Sequence, residues 1–295
     1  MPPESVSPPA TGALAKPTDA AERTKARARA VRRRALLVNG TRLVVLVLFL
    51  GLWEWFSRAG VIDKFNFSMP SEVYDQIRTW VMHGTAQGSL GAQIWATLQE
   101  ALYGWVIGVA AGVLLGIALG RVRFLADVFG PYVKILNAMP RIVLAPIFLI
   151  WFGLGPASKI ASAVVLVFFP VFFNAFQGAR EVDRNLVANA RILGASNRQV
   201  TFQVVIPSAT SWIFTSLHVS FGFALIGAVV GELLGADKGM GLLIRNAQNN
   251  FSPNGVLAGM VVIGVIALIA EALITALEKR LLRWRPPQMA GDAGI

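Results

Sequence analysis

Cysteine is absent from all 295 residues, which excludes disulfides, thiolate metal sites and a cysteine nucleophile. Histidine is almost absent: His83 and His218 are too few and too far apart to suggest a metal site. Charge is scarce too, at 15% of residues against about 25% in an ordinary soluble chain. Acids are the scarcer sign, with 16 Asp and Glu to 27 Lys and Arg. The dipeptide Gly-Lys occurs nowhere, so no P-loop is present to cradle a nucleotide. These shortages argue against a soluble enzyme, and against a nucleic-acid partner despite a net charge of +11. A basic balance with so much apolar residue points to a membrane protein whose charges gather on one side.

Apolar residue is plentiful, at 55%. A bilayer core of about 30 Å needs about 20 helical residues at 1.5 Å each. Residues 102–120 and 209–231 contain no Asp, Glu, Lys or Arg. Four further stretches qualify with one interruption or a shorter charge-free core: 41–59 around Glu54, 131–154 around Lys134 and Arg141, 159–178, and 256–278 around Glu271. The expected fold class is all-α, a polytopic membrane protein of about six transmembrane helices. With six spans and both termini on one side, twenty Lys and Arg fall on the terminal side and six on the other, with Arg141 inside a span. The positive-inside rule then places both termini in the cytoplasm.

This divides the chain. Residues 1–41 read as a disordered basic cytoplasmic tail, mixing Pro, Ala and Thr with Lys and Arg. Residues 42–92 hold the first span and an outward segment, and 93–285 a core of five spans with a cytoplasmic loop at 180–208. Residues 286–295 are a C-terminal tail. In the outward segment the spacing predicts a helix starting at Pro70 or Ser71, with Val73, Ile77, Trp80 and Val81 on one face. It serves as a linker packed on the spans, or lies at the membrane surface.

The second span carries Gly104, Gly108, Gly112, Gly116 and Gly120, one at every fourth residue. At 100° per residue these form a continuous, slowly drifting stripe. In lipid such a stripe lets two helix backbones approach closely, so tight packing on a neighbouring span is expected. Gly227, Gly231 and Gly235 repeat the pattern in the fifth span.

The loop between the fourth and fifth spans runs Ala188-Asn189-Ala190-Arg191-Ile192-Leu193-Gly194-Ala195-Ser196 and on to Val204-Val205-Ile206-Pro207. It reads as a short helix, a turn at Gly194, a second short helix and a stop at Pro207. Leu186, Ala190, Leu193, Val200 and Val204 supply apolar faces, and Arg184, Arg191 and Arg198 recur every seven residues as a basic edge. Such a hairpin suits docking on another protein.

Here the sequence resembles the permease subunits of binding-protein-dependent ABC importers. Their EAA loop has the form E-A-A-x-x-x-G, nine residues, then I-x-L-P. Ala190, Gly194, Ile206 and Pro207 match it, while Ala188 and Asn189 stand where the pattern has Glu and Ala. Trp151-Phe152-Gly153-Leu154-Gly155 with Lys159-Ile160, Gly231-Glu232-Leu233-Leu234-Gly235, Gly239-Met240-Gly241-Leu242, Trp53-Glu54 and Pro70-Ser71 are similar to the nitrate, sulfonate and taurine branch. The resemblance covers roughly residues 42–285. It implies a type I importer permease in the bacterial inner membrane, working with a second copy of itself, two cytoplasmic P-loop ATPase subunits and an external solute-binding protein. ATP and Mg belong to the ATPase partner, and this chain needs no cofactor or metal of its own. The residues expected to couple to the ATPase are Ala190, Arg191, Leu193, Gly194, Ala195, Ser196 and Arg198.

Among the intramembrane polar residues, Arg141 stands beside Asn137, Met139 and Pro140 in the third span, with Pro146 farther on. A charge at mid-membrane costs at least about 2.5 kcal/mol, so it faces protein or water. Prolines permit unwinding where a helix lines a cavity. These four residues are the candidate pathway, with Arg141 attracting an anionic solute; an ion pair with Glu232 or another acid is the alternative. Glu100 and Glu232 read as capping or packing groups, Glu54 and Glu271 as inter-helix partners, His218 as a core histidine. A self-sufficient secondary transporter or channel is the rival function, though no internal repeat supports it. No nucleophile–base cluster supports a membrane enzyme.

Overall fold

The computed structural model describes residues 17–281, except the side chains of 17–31 and of scattered positions that include Arg123, Arg184 and His218. The expectations placed on residues 1–16, on the tail 286–295 and on the side chains of His218 and Arg184 lie outside the described residues. Two compact units divide the chain, Met1–Ile62 and Asp63–Ile295. The first is built around one helix, α1 (Pro17–Arg58). Residues 17–41, expected as disordered tail, are helical within it, as their Ala- and Arg-rich composition favours. Glu54 pairs with Arg58 one turn on, at 2.7 Å.

The second unit is also helical, with no strand among its described residues. It starts with α2 (Lys64–Phe67) and α3 (Pro70–Met82). Proline opens α3, where its missing N–H costs nothing. Val73 and Trp80 are buried and Ile77 packs beside them, but Val81 is 66% exposed. The buried face is therefore narrower than the sequence suggested. Through this apolar face α3 packs on the helix Pro253–Leu281, within the unit that begins at Asp63.

Then follow α4 (Leu90–Arg121), capped by Ser89, and α5 (Arg123–Ala138). A 3-10 turn (Arg141–Leu144) leads to α6 (Ala145–Phe152). The third expected span is not one helix: it breaks at Met139–Pro140 and bends by 81°. The residue before a proline is driven out of the helical region, and Met139 is extended, at φ −72° and ψ 138°.

Beyond come α7 (Pro156–Arg180), α8 (Arg184–Ile192), α9 (Asn197–Val200), a π turn (Thr201–Val205), α10 (Ile206–Leu234), α11 (Met240–Asn249) and α12 (Pro253–Leu281). Helices α1, α4, α7 and α12 are long and apolar enough to cross a membrane, and the bent pair makes a fifth crossing if counted as one. The remaining expected span falls on α10, of which Val219–Leu234 forms a shorter apolar helix.

In this unit α7 lies between α4 and α10. Ala101, Ala163, Val167, Val171, Phe221, Ala224, Leu225 and Ala228 form the core they share, and the Trp105 indole of α4 donates to Ser220 of α10 at 2.9 Å. A second apolar core joins α3, the start of α4, α11 and α12 through Val73, Trp80, Leu90, Met240, Leu243, Ala258 and Val262.

Candidate functional site

The five stripe glycines of α4 are buried and lie on α7. Gly104 meets Ala163, Gly108 Val167, Gly112 Val171, Gly116 Ala175 and Gly120 Ala179, always 59 residues apart, so the helices run parallel in one register. A Cβ on Gly108 would stand 2.8 Å from Val167, on Gly112 3.0 Å from the Phe168 carbonyl oxygen, and on Gly116 2.7 Å from the Phe172 carbonyl oxygen. At Gly112 and Gly116 the obstacle is backbone, which cannot rotate away, and at Gly108 the Val164 carbonyl oxygen stands 3.0 Å off behind the Val167 side chain. Helix α10 also packs on α7, where Gly227 rests on Ala163 and Gly231 on Lys159, and Gly235, just past α10, meets Leu154 in the turn before α7.

At the end of α4 and α7 that carries Arg121 and Arg180 sits the hairpin of α8 and α9. Asp183 caps α8, and Gly194 makes the turn at φ +83°, where only glycine is unstrained. Ser196 and Gln199 then form a reciprocal capping box that starts α9. Pro207 does not end the second helix. It stands in the first turn of α10, a position proline tolerates, so α9 passes through the π turn directly into α10. The apolar face also differs from the expected one: Val187, Ala190 and Ala195 pack with Val200, Val205 and Ala179. Leu186 and Leu193 face out instead, and Ile192 and Leu193 at the tip are 82% and 86% exposed. Arg191 and Arg198 are exposed, the latter over the Phe202 ring. Arg121 donates to the Asn197 carbonyl at 2.7 Å, tying α4 to the hairpin. A cavity of about 700 Å3 lies beneath, lined by Arg121, Val182, Val187, Ala188 and Arg191 among others.

At the bend, the Arg141 guanidinium donates to the Asn137 carbonyl at 2.8 Å and also to its side-chain oxygen. It lies over the Phe169 ring of α7, 5.0 Å from the centroid. Its Nε is buried without a hydrogen-bond partner. The ion pair with Glu232 does not form, because the Glu232 carboxylate is engaged elsewhere.

That engagement is a constellation the sequence reading missed. The buried Glu232 carboxylate of α10 accepts from the Thr97 hydroxyl of α4 and from the Gly241 N–H, both at 2.7 Å. Thr97 Oγ1 accepts from the Met240 N–H at 2.8 Å. Gln93 Oε1 accepts from the Gly239 N–H at 2.8 Å, while its amide donates to the Gln87 carbonyl. Three successive backbone N–H groups at the start of α11, which no helix can satisfy internally, are thus held by side chains of α4 and α10. Gly239 has φ +121°, and a side chain there would collide with the Glu232 carboxylate. Lys159 is also buried and donates to the Leu154 and Gly155 carbonyls. The signal was legible: Gln93, Thr97 and Glu100 continue the face of the glycine stripe toward the start of α4. Among the described residues no group of three His, Asp or Glu is placed to hold a metal.

The pattern of the family described as binding-protein-dependent transport system inner membrane component matches residues 108–283, a stretch that takes in the bend, the hairpin and α11. The putative aliphatic sulfonates transport permease protein SsuC of Bacillus subtilis (strain 168) is 29% identical over 243 residues, covering 82% of this chain and 87% of that protein. The taurine transport system permease protein TauC of Escherichia coli (strain K12) is 30% identical over 243 residues, 81% of this chain and 87% of that protein. In fold, the chain is similar to the MetNI methionine ABC transporter solved in an inward-facing conformation, with a TM-score of 0.52 at 20% identity, over 66% of this chain and 94% of that one. The chain belongs to the family of binding-protein-dependent transport system inner membrane components, as the permease subunit of an ABC importer.

Proposed function

We propose that two copies of this chain form an inward pathway for a small anionic solute of the sulfonate class. An external solute-binding protein delivers the solute, and two cytoplasmic P-loop ATPase subunits drive its passage by hydrolysing ATP with Mg. The hairpin within 180–208 and both termini face the cytoplasm, and residues 93–285 are the transporting core behind the first span and its outward segment, 42–92. The observation that carries the coupling role is the exposed aliphatic tip, Ile192 and Leu193, flanked by Arg191 and Arg198. Apolar side chains so exposed on a capped, rigid turn suit docking on a protein groove. Ala190 and Ala195 pack inward against Ala179, Val200 and Val205, Gly194 makes the turn and Ser196 fixes the second arm, so motion at the tip passes into α10 through the π turn.

The pathway lies between the copies, with Asn137, Met139, Pro140 and Arg141 lining its bend. An anionic solute is supported by Arg141, whose guanidinium is held by neutral groups only and so keeps its charge free to attract one. The sulfonate class comes from the relatives named for aliphatic sulfonates and taurine.

The test is uptake of radiolabelled taurine or an alkanesulfonate into vesicles containing the chain, its ATPase and its binding protein. Accumulation should need ATP on the hairpin side. Uphill accumulation by the purified chain without any ATPase would overturn the reading. Uptake that needs ATP but ignores every anion offered would overturn only the solute class.

A further inference from the structure

Five buried polar side chains meet at the α11 end of the bundle: Gln93, Thr97 and Glu100 from one face of α4, Lys159 from the first turn of α7 and Glu232 from the last turn of α10. Glu100 and Lys159 keep the 59-residue offset of the glycine stripe, so they extend the α4–α7 contact in polar form. Gln93, Thr97 and Glu232 carry the bonds to Gly239, Met240 and Gly241.

This layer lies where two apolar cores meet, that of α4, α7 and α10 and that of α3, α11 and α12. Parting interlocked apolar surfaces forfeits dispersion contacts outright. Parting a hydrogen-bonded layer does not, provided water replaces each bond as it opens. The layer has such a source beside it: a cavity of about 400 Å3 lined by Ala96, Glu100, Tyr103, Lys159, Asp237 and Lys238, among others. One oxygen of Glu100 is buried without a hydrogen-bond partner, so an entering water finds an unused polar group there.

We propose that this polar layer is a seam that parts during transport, with Thr97 and Glu232 as positioning residues that hold α11 on α4 in one state and release it into water in another. The proposal rests on the importer reading, because a two-state cycle must drive the release. A chain without cysteine makes the test direct. Thr97→Cys places a thiol in the seam, and Ala101→Cys places one a turn away in the fully buried apolar core.

Each variant is assembled with its ATPase and binding protein and labelled with a maleimide in two conditions, nucleotide-free and trapped with ATP and vanadate. The thiol at 97 should react roughly tenfold or more faster in one condition, as when a hydrogen bond of ordinary net strength is lost. The thiol at 101 should stay slow in both. Equal slow labelling at 97 in both conditions, or an equal change at 101, overturns the seam. Should Thr97→Cys fail to assemble, Ala96→Cys reads the same opening from the cavity with Thr97 intact, and a rate unchanged by trapping overturns the proposal equally. Neither labelling outcome depends on the solute's identity. If vanadate fails to arrest ATP hydrolysis in the parent assembly, the importer reading fails first and takes the seam with it.

Discussion

One face of α4 makes two unlike contacts. From Gly104 to Gly120 it meets α7 backbone to backbone through five glycines. From Gln93 to Glu100 it meets α11 and the ends of α7 and α10 through carboxylate, hydroxyl and amide groups. Both parts are buried, so burial does not distinguish them; the chemistry of separation does. A glycine seam holds only by close approach, and any gap removes its contacts without replacement. A polar seam exchanges protein partners for water at modest net cost. The same helix face is therefore built to stay closed at the hairpin end and to open at the α11 end.

The strongest way to break this comparison is Gly112→Leu. A Cβ there already meets the Phe168 carbonyl and the Phe172 nitrogen at 3.0 Å, so the larger side chain forces the helices apart. The cost should exceed the roughly 1–3 kcal/mol of ordinary overpacking. The expected outcome is little or no folded protein in the membrane, measured by fluorescence-detected size exclusion. Full yield and uptake would show that the glycines do not hold the bundle.

A sharper contrast needs only one methyl group. Gly116→Ala brings a Cβ within 2.7 Å of the Phe172 carbonyl oxygen, whereas at Gly264 of α12 no atom lies within 4 Å. Gly116→Ala should lower the melting temperature of the purified chain clearly. Gly264→Ala should leave it unchanged or raise it slightly, because alanine is the better helix former. Equal responses at the two sites would mean that close approach is not what the stripe provides.

In the polar seam the informative pair is Thr97→Val and Thr97→Ser. Valine keeps the shape but strands the Met240 N–H and one Glu232 oxygen, at about 1–3 kcal/mol for buried groups left unpaired. Serine keeps both bonds and should melt like the parent. If valine melts like serine, the hydroxyl contributes nothing and the seam has another basis.

Much of this was legible in the chain. Regular spacing revealed the glycine stripe because a period of four on a helix needs no knowledge of the partner; that the partner is α7 in parallel register could not be read, since it depends on how the broken third span returns the chain. Pro140 announced a break, but the 81° bend depends on what α5 and α6 pack against. Gly194 announced the turn. The hairpin's buried face was misjudged because helical spacing gives a face but not its direction: Val187 turns inward while Leu186 beside it turns out. Pro207 was read as a stop because a proline ends a helix or begins one with equal ease. Glu232 and Thr97 lie 135 residues apart, and no local pattern joins them.

Arg141 tests the comparison from outside, as a polar group belonging to neither seam. Its hydrogen bonds go to Asn137, four residues back, and its contact with α7 is the face of Phe169. Removing it strands no donor on another helix. The stability lost with Arg141→Ala should thus stay near the roughly 0.5–1 kcal/mol of a cation–π contact, or about 2 kcal/mol where water is excluded, less than or equal to that of Thr97→Val. Uptake should fall much further than stability if the guanidinium is, as proposed, the charge the pathway offers an anion. Arg141→Lys keeps the charge but not the planar fork, so it should recover part of the uptake if attraction matters and none if the fork itself grips the solute. Uptake by Arg141→Ala equal to the parent would remove this residue from the pathway and leave the bend as a structural break alone.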